Sequence, residues 1–600
     1  MRLLFITTST TALLAANVAL AQATEPFVLG TIFLGSDATT SIGIDNEDLT
    51  RTDPADLQDV FKTEPTVSVG SSLPISQKIY VNGVEENNLN VTIDGARQNN
   101  RIFHHSATTY IDPELLKAVR IDPGVAPADA GPGATAGAIA FETKDVEDLL
   151  DPGKSFGGRI SLGYQDNGET LTTSLGLYGL QNGFEYLVFG KIADGENLID
   201  GDGDEITGSK AALESGLAKL AYSLADGSRI ELSYERVTDD AQRPFRADFA
   251  GVNGDFTTRT YALERENLVL SYTGAGTSAM WNPFVQVAYN STDLLTGASR
   301  FGTYGGKSES VTAKVQNEFV LSIGTITAGV DYYADSVDIE ERLTGADFAE
   351  EKATNVGVFA QARMDLSDQL RLSGGLRYDF QTFEGIDGTE YDVDGLSTNV
   401  ALDYDVTDGL TLSAGASTTW GGIALSESFL FDTAGWVYPD EIDAVTSQNI
   451  YVGLNGQAGA FDFDAKVFKT EIFNARTLYD PATERFGLSP AATSDFESEG
   501  FEVGARYNWS TGFARIAYAN IDSKINGLAV DSYTGRYLST PLGETVILEV
   551  EQAFDAYDIV VGADAQITVD QDGTYLGDEL GELEGYTVAN AYFEYKPEDF

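Results

Sequence analysis

From Gly153 onward the chain is built from one repeated unit, a short segment that alternates apolar and polar residues, and this most restricts how it can fold. Arg159–Tyr164, Phe184–Tyr186 and Ile230–Tyr234 are examples. Period-two alternation describes a strand with a different solvent on each face. The links between these segments alternate too. Short ones (180–183, 224–228, 407–409, 510–512) take turns with long polar ones (194–211, 237–256, 333–353, 418–447, 468–498). Short turns at one end and long loops at the other are the layout of a transmembrane β-barrel. A sandwich or propeller would not keep that rhythm over such a length. Counting by it gives about 20 strands, from 157–165 to 585–596.

Length and charge narrow the function. Six hundred residues at 42% apolar and 22% charged are globular values, so the formal charge of −56 does not signal disorder. Asp and Glu outnumber Lys and Arg 93 to 37, which excludes nucleic acid as a partner, since a phosphate backbone is bound by cations. There is no cysteine, so disulfides, thiolate metal sites and cysteine nucleophiles are unavailable.

The first residues read as an address. Arg2 precedes an apolar stretch to Leu20, and Ala19-Leu20-Ala21 before Gln22 is a small-x-small cleavage site, so residues 1–21 are expected to be a secretory signal. No other stretch is long and apolar enough for a spanning helix; an exported chain of this kind reaches a membrane by closing a barrel.

Between these parts, residues 36–152 read as a compact mixed domain. Asp53–Pro65 predicts a short helix with Asp53 as N-cap and Leu57, Val60 and Phe61 on one face. Lys78–Val81 and Asn90–Ile93 predict strands, and Asp94-Gly95 a turn. Asp112-Pro113 predicts a second helix, PELLKAV, leading into a strand at Val119–Ile121. The Gly-, Ala- and Pro-rich run from Pro123 to Thr143 can approach other surfaces closely. A small N-terminal domain before a very large β array predicts a plug (36–152) inside a barrel (153–600).

Here the sequence resembles the TonB-dependent outer-membrane receptors. The segments LQDVFKTEPTVSVG, VTIDGARQ, DPELLKAVRIDPG and AGPGATAGAIAFET match the plug pattern of that family. FHHSATTYIDPELLKAV and AGPGATAGAIAFETKDVEDLL are most similar to the FetA/FrpB-like branch of ferric siderophore and haem receptors. The resemblance implies an all-β transmembrane barrel, 22-stranded in the family, with an α+β plug inside. The chain's end, Lys596–Phe600, falls where a further hairpin is expected. It also implies a monomeric importer in the outer membrane of a Gram-negative bacterium, in contact with outer-membrane lipid, without enzymatic activity or resident cofactor. TonB, the inner-membrane energy coupler, would grip Leu29, Gly30, Thr31, Ile32, Phe33 and Leu34, within the segment 22–35. A ferric siderophore is the leading cargo and haem the alternative. The loop region from Trp420 to Leu454 lacks the second histidine that haem receptors of this pattern supply, which favours the siderophore. A passive porin or a barrel enzyme is a remote alternative; a porin would lack the plug.

The candidate ligand-binding residues follow. His104 and His105 are the only histidines, and His105 matches the haem-ligating plug position that the resemblance implies. Adjacent strand residues point to opposite faces, so one of the pair engages a ligand. Arg97, Arg101, Arg243 and Arg246 are candidate partners for the carboxylates or catecholates of an anionic cargo. Tyr110, Trp420, Trp436 and Tyr438 could stack on a flat one, and Tyr438 is an alternative iron ligand. The acidic run Asp200–Glu205 opens like a calcium loop but lacks its sixth-position glycine and twelfth-position glutamate, so it reads as a turn.

Overall fold

The computed structural model describes residues 41–71, 73–102, 105–247, 257–297, 302–342, 347–431, 436–477, 479–480, 485–486, 489–531, 535, 537–575 and 578–595. Residues 1–21, the segment 22–35 with Leu29–Leu34, and His104 lie outside these.

Residues 41–150 form the inner domain. A sheet in the order Ile42–Ile44, Leu116–Pro123, Gly137–Thr143, Asn90–Ile93, Ala96–Arg97 is antiparallel except where Asn90–Ile93 runs parallel to Gly137–Thr143. A three-stranded sheet (Val67–Gly70, Lys78–Val81, Val84–Glu85) and three short α-helices complete it. Leu57, Val60 and Phe61 pack as expected, with Ile79, Ile93, Ile121 and Phe141, into one apolar core.

Two predicted helices differ. The helix expected from Asp53 spans Leu57–Phe61 and is capped by Asp56, whose carboxylate accepts from the Asp59 N–H at 3.1 Å. Asp53 instead ends a preceding helix, Asn46–Thr52, in the left-handed region at φ 42°. Two helices meet there, and the sequence signal marked the junction rather than one start. PELLKAV makes only a 3₁₀ turn, Pro113–Leu115, before the strand begins at Leu116. Pairing of Leu116–Pro123 with Gly137–Thr143 overrides the local helical preference, because the ladder joins two buried segments.

The remainder is a closed antiparallel barrel in sequence order, with Phe156–Gln165 first and Tyr586–Tyr595 last. It has twenty long strands and one two-residue piece, Leu528–Ala529. The hairpin at Asn182-Gly183 has φ 54° and 78°, the tight turn in which both residues need positive φ. Along each strand, lumen-facing side chains are polar and buried, as with Asn355 and Gln361, while outward ones such as Val356 and Val358 are apolar and exposed. An outward apolar band is what hydrocarbon requires of a barrel wall.

The strands are longer than expected. The link predicted at 333–353 is mostly wall: one strand continues to Glu341 and the next begins at Phe348, paired throughout, for example Asp335 with Ala353 and Asp338 with Glu350. The links at 237–256, 418–447 and 468–498 shrink likewise, to the stretches after Pro244, Gly422 and Arg476. Phe348–Ser367 has 20 residues, roughly 65 Å at about 3.3 Å per residue, against the ~10 that cross a bilayer. Beyond the apolar band the outward positions become polar (Ser336, Asp338, Glu340), so the alternation fades while the ladder continues. The wall thus rises into a vestibule around the top of the inner domain.

Candidate functional site

The site lies where the inner domain's segment 85–111 meets the barrel's long connections. Tight local bonding shapes that segment: the His105 and Ser106 N–H groups both donate to the Ile102 carbonyl, at 3.0 and 3.2 Å. His105 is 2% exposed and sits under Phe429, with ring centroids 4.2 Å apart. Its Nδ1 is 2.7 Å from the Tyr261 hydroxyl. That hydroxyl donates to the Phe245 carbonyl at 3.0 Å, which can only accept. Nδ1 is therefore the ring nitrogen that the wall holds, through the Tyr261 hydroxyl. Burial, with Arg259 and Arg246 nearby, holds the imidazole well below its ordinary pKa, so it is neutral at pH 7. Arg259 lies over the Phe245 ring at 4.5 Å, its Nη2 within 3.5 Å of His105 Nδ1.

Arg97 and Arg101 line a cavity of about 70 Å³ beside this turn, with Asn99, Tyr333, Asp335, Glu427, Arg476 and Tyr537. Arg97 latches inner domain to wall: its Nε donates to Asp335 at 3.0 Å, its Nη1 to Asn90 and the Pro132 carbonyl, and it lies over the Tyr333 ring. Arg101 is held less tightly. Among the described residues its one side-chain bond is a 3.4 Å contact to the Asn87 carbonyl, and burial lowers its pKa to about 10. Loops close over both: the Ser428 N–H donates to the Arg101 carbonyl at 3.0 Å, Glu85 N–H to the Leu538 carbonyl at 2.8 Å, and Tyr537 to Glu427 at 2.6 Å.

The other sequence candidates are dispersed. Arg243 is 1% exposed; its fork is taken by Asp239 at 3.0 and 2.6 Å, and Nη1 reaches the Gly208 and Lys210 carbonyls at 2.7 Å. This packing turns it into the wall and away from any cargo. Arg246 is half-buried near His105. Tyr110 packs with Ile75, Ile102 and Tyr261, and its carbonyl accepts from Arg265 at 2.6 Å. Trp436 and Tyr438, edge to face at 6.3 Å, are buried in a loop cluster with Phe383 and Ile423. The Tyr438 hydroxyl donates to Glu351 at 2.5 Å, which also takes the Arg476 fork at 2.9 and 2.8 Å. Trp420 fills the space that the absent side chain of Gly395 leaves. In the acidic run, Asp200 accepts from its own Asp202 and Asp204 N–H groups at 3.0 and 2.9 Å. Among the described residues no group of three His, Cys, Asp or Glu side chains could hold a bare metal ion.

Several residues that build the site were not legible. Phe429, Tyr261 and Arg259 carry no motif, and only the three-dimensional register brings 259–261 and 429 to position 105. Glu351 and Arg476 lay inside stretches read as loops, whose structural role shows only once the strands are seen to continue.

Known proteins align with both parts. The family described as "TonB dependent receptor-like, beta-barrel" matches residues 150–599, and "TonB-dependent Receptor Plug Domain" matches 35–138. The protein named "Heme transporter BhuA" from Brucella ovis is 31% identical over 572 residues, 94% of this chain and 84% of that one. "TonB-dependent heme receptor A" of Haemophilus influenzae is 24% identical over 60% of this chain and 56% of its own. Among solved structures, the FrpB iron transporter of Neisseria meningitidis (F3-3 variant) superposes with a TM-score of 0.83 at 19% identity, covering 94% and 93% of the two chains. The hemophore receptor HasR of Serratia marcescens, solved with its hemophore HasA and heme, gives 0.74 at 18% identity over 94% of each. A plug packed inside a barrel whose model spans 150–599 makes the chain a member of the TonB-dependent receptor family.

Proposed function

We propose that this receptor takes up haem at the outer face of a Gram-negative outer membrane and delivers it to the periplasm, acting as a monomer. The carrying observation is His105, a neutral imidazole at the plug position facing the long connections and held at Nδ1 by Tyr261, a residue type that ligates haem iron. Arg259 and Arg246 beside it supply positive charge for an anionic porphyrin. The Brucella relative, named a heme transporter, supports this cargo over the siderophore that the sequence alone put first. Phe429 covers the histidine in this conformation, so loop 423–444 must swing aside before cargo reaches it. With no nucleotide motif in the chain, release draws on TonB, gripping Leu29–Leu34 once residues 1–21 are removed. The reading makes the chain a transporter and not an enzyme.

The test is titration of refolded protein with haemin. A Soret shift is expected that His105→Ala removes or weakens by at least about tenfold, which is about 1.4 kcal/mol of binding. Because the imidazole is neutral across this range, affinity should stay level from pH 8 to pH 6. A shift unchanged in the variant would sink the haem reading. The ferric siderophore stands as the second reading, because the chain has two histidines in all and they are adjacent, so no loop histidine completes a pair. Quenching of tryptophan fluorescence by a ferric siderophore, with no Soret change from haemin, would establish it instead.

A further inference from the structure

The cavity lined by Arg97 and Arg101 is short of acceptors. Arg101 Nε is buried without a hydrogen-bond partner, and no carboxylate lies within ion-pairing distance of this guanidinium among the described residues. Asn99, 5% exposed, lines the same cavity with its Nδ2 equally unpartnered. Both unmet groups are pure donors. The two acids of the lining are already engaged: Asp335 accepts from Arg97 at 3.0 Å and from Ser310 at 2.6 Å, and Glu427 from Tyr537 at 2.6 Å. Arg476, the third guanidinium there, is spent on Glu351. A half-buried guanidinium whose Nε is buried and unsatisfied, with an amide donor beside it, favours a ligand that brings oxygen lone pairs and negative charge. About 70 Å³ admits one carboxylate-sized group, not a whole porphyrin or siderophore.

We infer that the chamber between Asn99, Arg101 and the loop residues Glu427 and Tyr537 is an anion site that binds a single carboxylate through Arg101 and Asn99. The carboxylate comes either from an arm of the cargo, a propionate if the haem reading above holds, or from a free small acid. In either case the site reads an acidic group separately from the iron, which His105 would contact. The Tyr537–Glu427 contact lies across it, so occupancy also reports to two outer loops.

Two arms distinguish the sources. In the first, haemin and its dimethyl ester are titrated against wild type, Arg101→Gln and Asn99→Asp. Wild type should prefer the free acid by at least about tenfold, as expected for a charge-assisted pair of hydrogen bonds, and both variants should abolish that preference. In the second, acetate is titrated against matched chloride while the thermal midpoint is followed, with no haem present. Stabilisation by acetate that Arg101→Gln loses would assign the site to a free acid, even if haemin does not bind at all. Arg101→Lys, which keeps the charge but loses the fork, should retain part of either effect and serves as the folding control. Equal affinity of wild type for acid and ester, together with no acetate effect, overturns the site. A preference that persists in both variants overturns it too.

Discussion

Glu351 holds loop 423–444 by more bonds than any other wall residue near the site. It is fully buried, takes both nitrogens of Arg476, and accepts from the Tyr438 hydroxyl and the Ser426 N–H, the latter at 2.8 Å. Removing one partner of such a pair leaves the other charge buried and unmatched, at about 3–5 kcal/mol. Glu351→Gln is therefore expected to loosen 423–444, read as faster amide exchange there with the plug unchanged. Tyr438→Phe deletes one hydrogen bond and should cost about 1 kcal/mol. Equal exchange in wild type and Glu351→Gln would show that the loop is held by its aromatic cluster instead.

The acidic pair in the plug titrates where it can be measured. Glu85 and Glu86 are fully buried, and burial pushes them up to about 7 and about 8, Glu85 adding repulsion at Glu86. In the unfolded chain both lose their protons near pH 4.5, so between that and pH 8 the folded plug binds more protons than the unfolded one. Stability is then full below about pH 4.5 and falls as pH rises through 7 to 8, with a limiting slope of about 1.4 kcal/mol per unit per group. Amide protection around 85–93 should be higher at pH 5.5 than at pH 8. Glu86→Gln should flatten that dependence and raise protection at pH 8; a steeper slope in the variant would reverse the assignment.

At the scale of elements, the plug is latched by charged side chains on the wall. Asp129, in the 3₁₀ turn Ala128–Ala130, receives the Arg363 fork at 2.9 and 3.0 Å, while the Ala128 N–H donates to Gln361 at 2.8 Å. Asp112 takes Lys191 at 2.8 Å, and Asp145 takes Lys219 at 3.1 Å. The other side of the plug meets Ile472, Phe496 and Ile525 of the wall through apolar contact. Asp129→Ala should cost about 3–5 kcal/mol locally, because Arg363 stays behind in the wall. Exchange over 124–137 should quicken, with 57–61 unaffected. These latches were invisible in the sequence, since an aspartate in a Gly- and Pro-rich stretch looks like turn chemistry. Strand existence was legible because alternation reports a two-solvent interface; strand length was not, because above the membrane both faces are wet. Asn90–Ile93 and Lys78–Val81 appeared at their expected bounds, since three consecutive β-branched or aromatic residues after a polar one, between turn signals, admit few alternatives. PELLKAV failed because pairing with residues twenty or more positions away decides its conformation.

For the whole molecule, the decisive property is that the lumen is filled. A twenty-strand barrel encloses an aqueous channel unless something occupies it. Here the cross-section is taken by the domain at 41–150, whose buried Lys144 and Asp112 and half-buried Arg97 would be exposed to water without the wall. The barrel does not depend on the plug in the same way, because its ladders close on themselves and its apolar band faces lipid. Deleting 36–150 should therefore leave a barrel that inserts into planar bilayers and conducts ions as an open pore, where the intact chain conducts little. The freed lumen would keep Asp331, Glu235 and Asp379 with their arginine partners, but Lys191 and Lys219 would lose Asp112 and Asp145. Selectivity among ions should then depend on salt, as unscreened lumen charge does at the ~30 Å Debye length of 0.01 M and not at the ~3 Å of 1 M. Conductance unchanged by the deletion would mean that the domain does not occlude the channel, and the gated-import reading would fall with it.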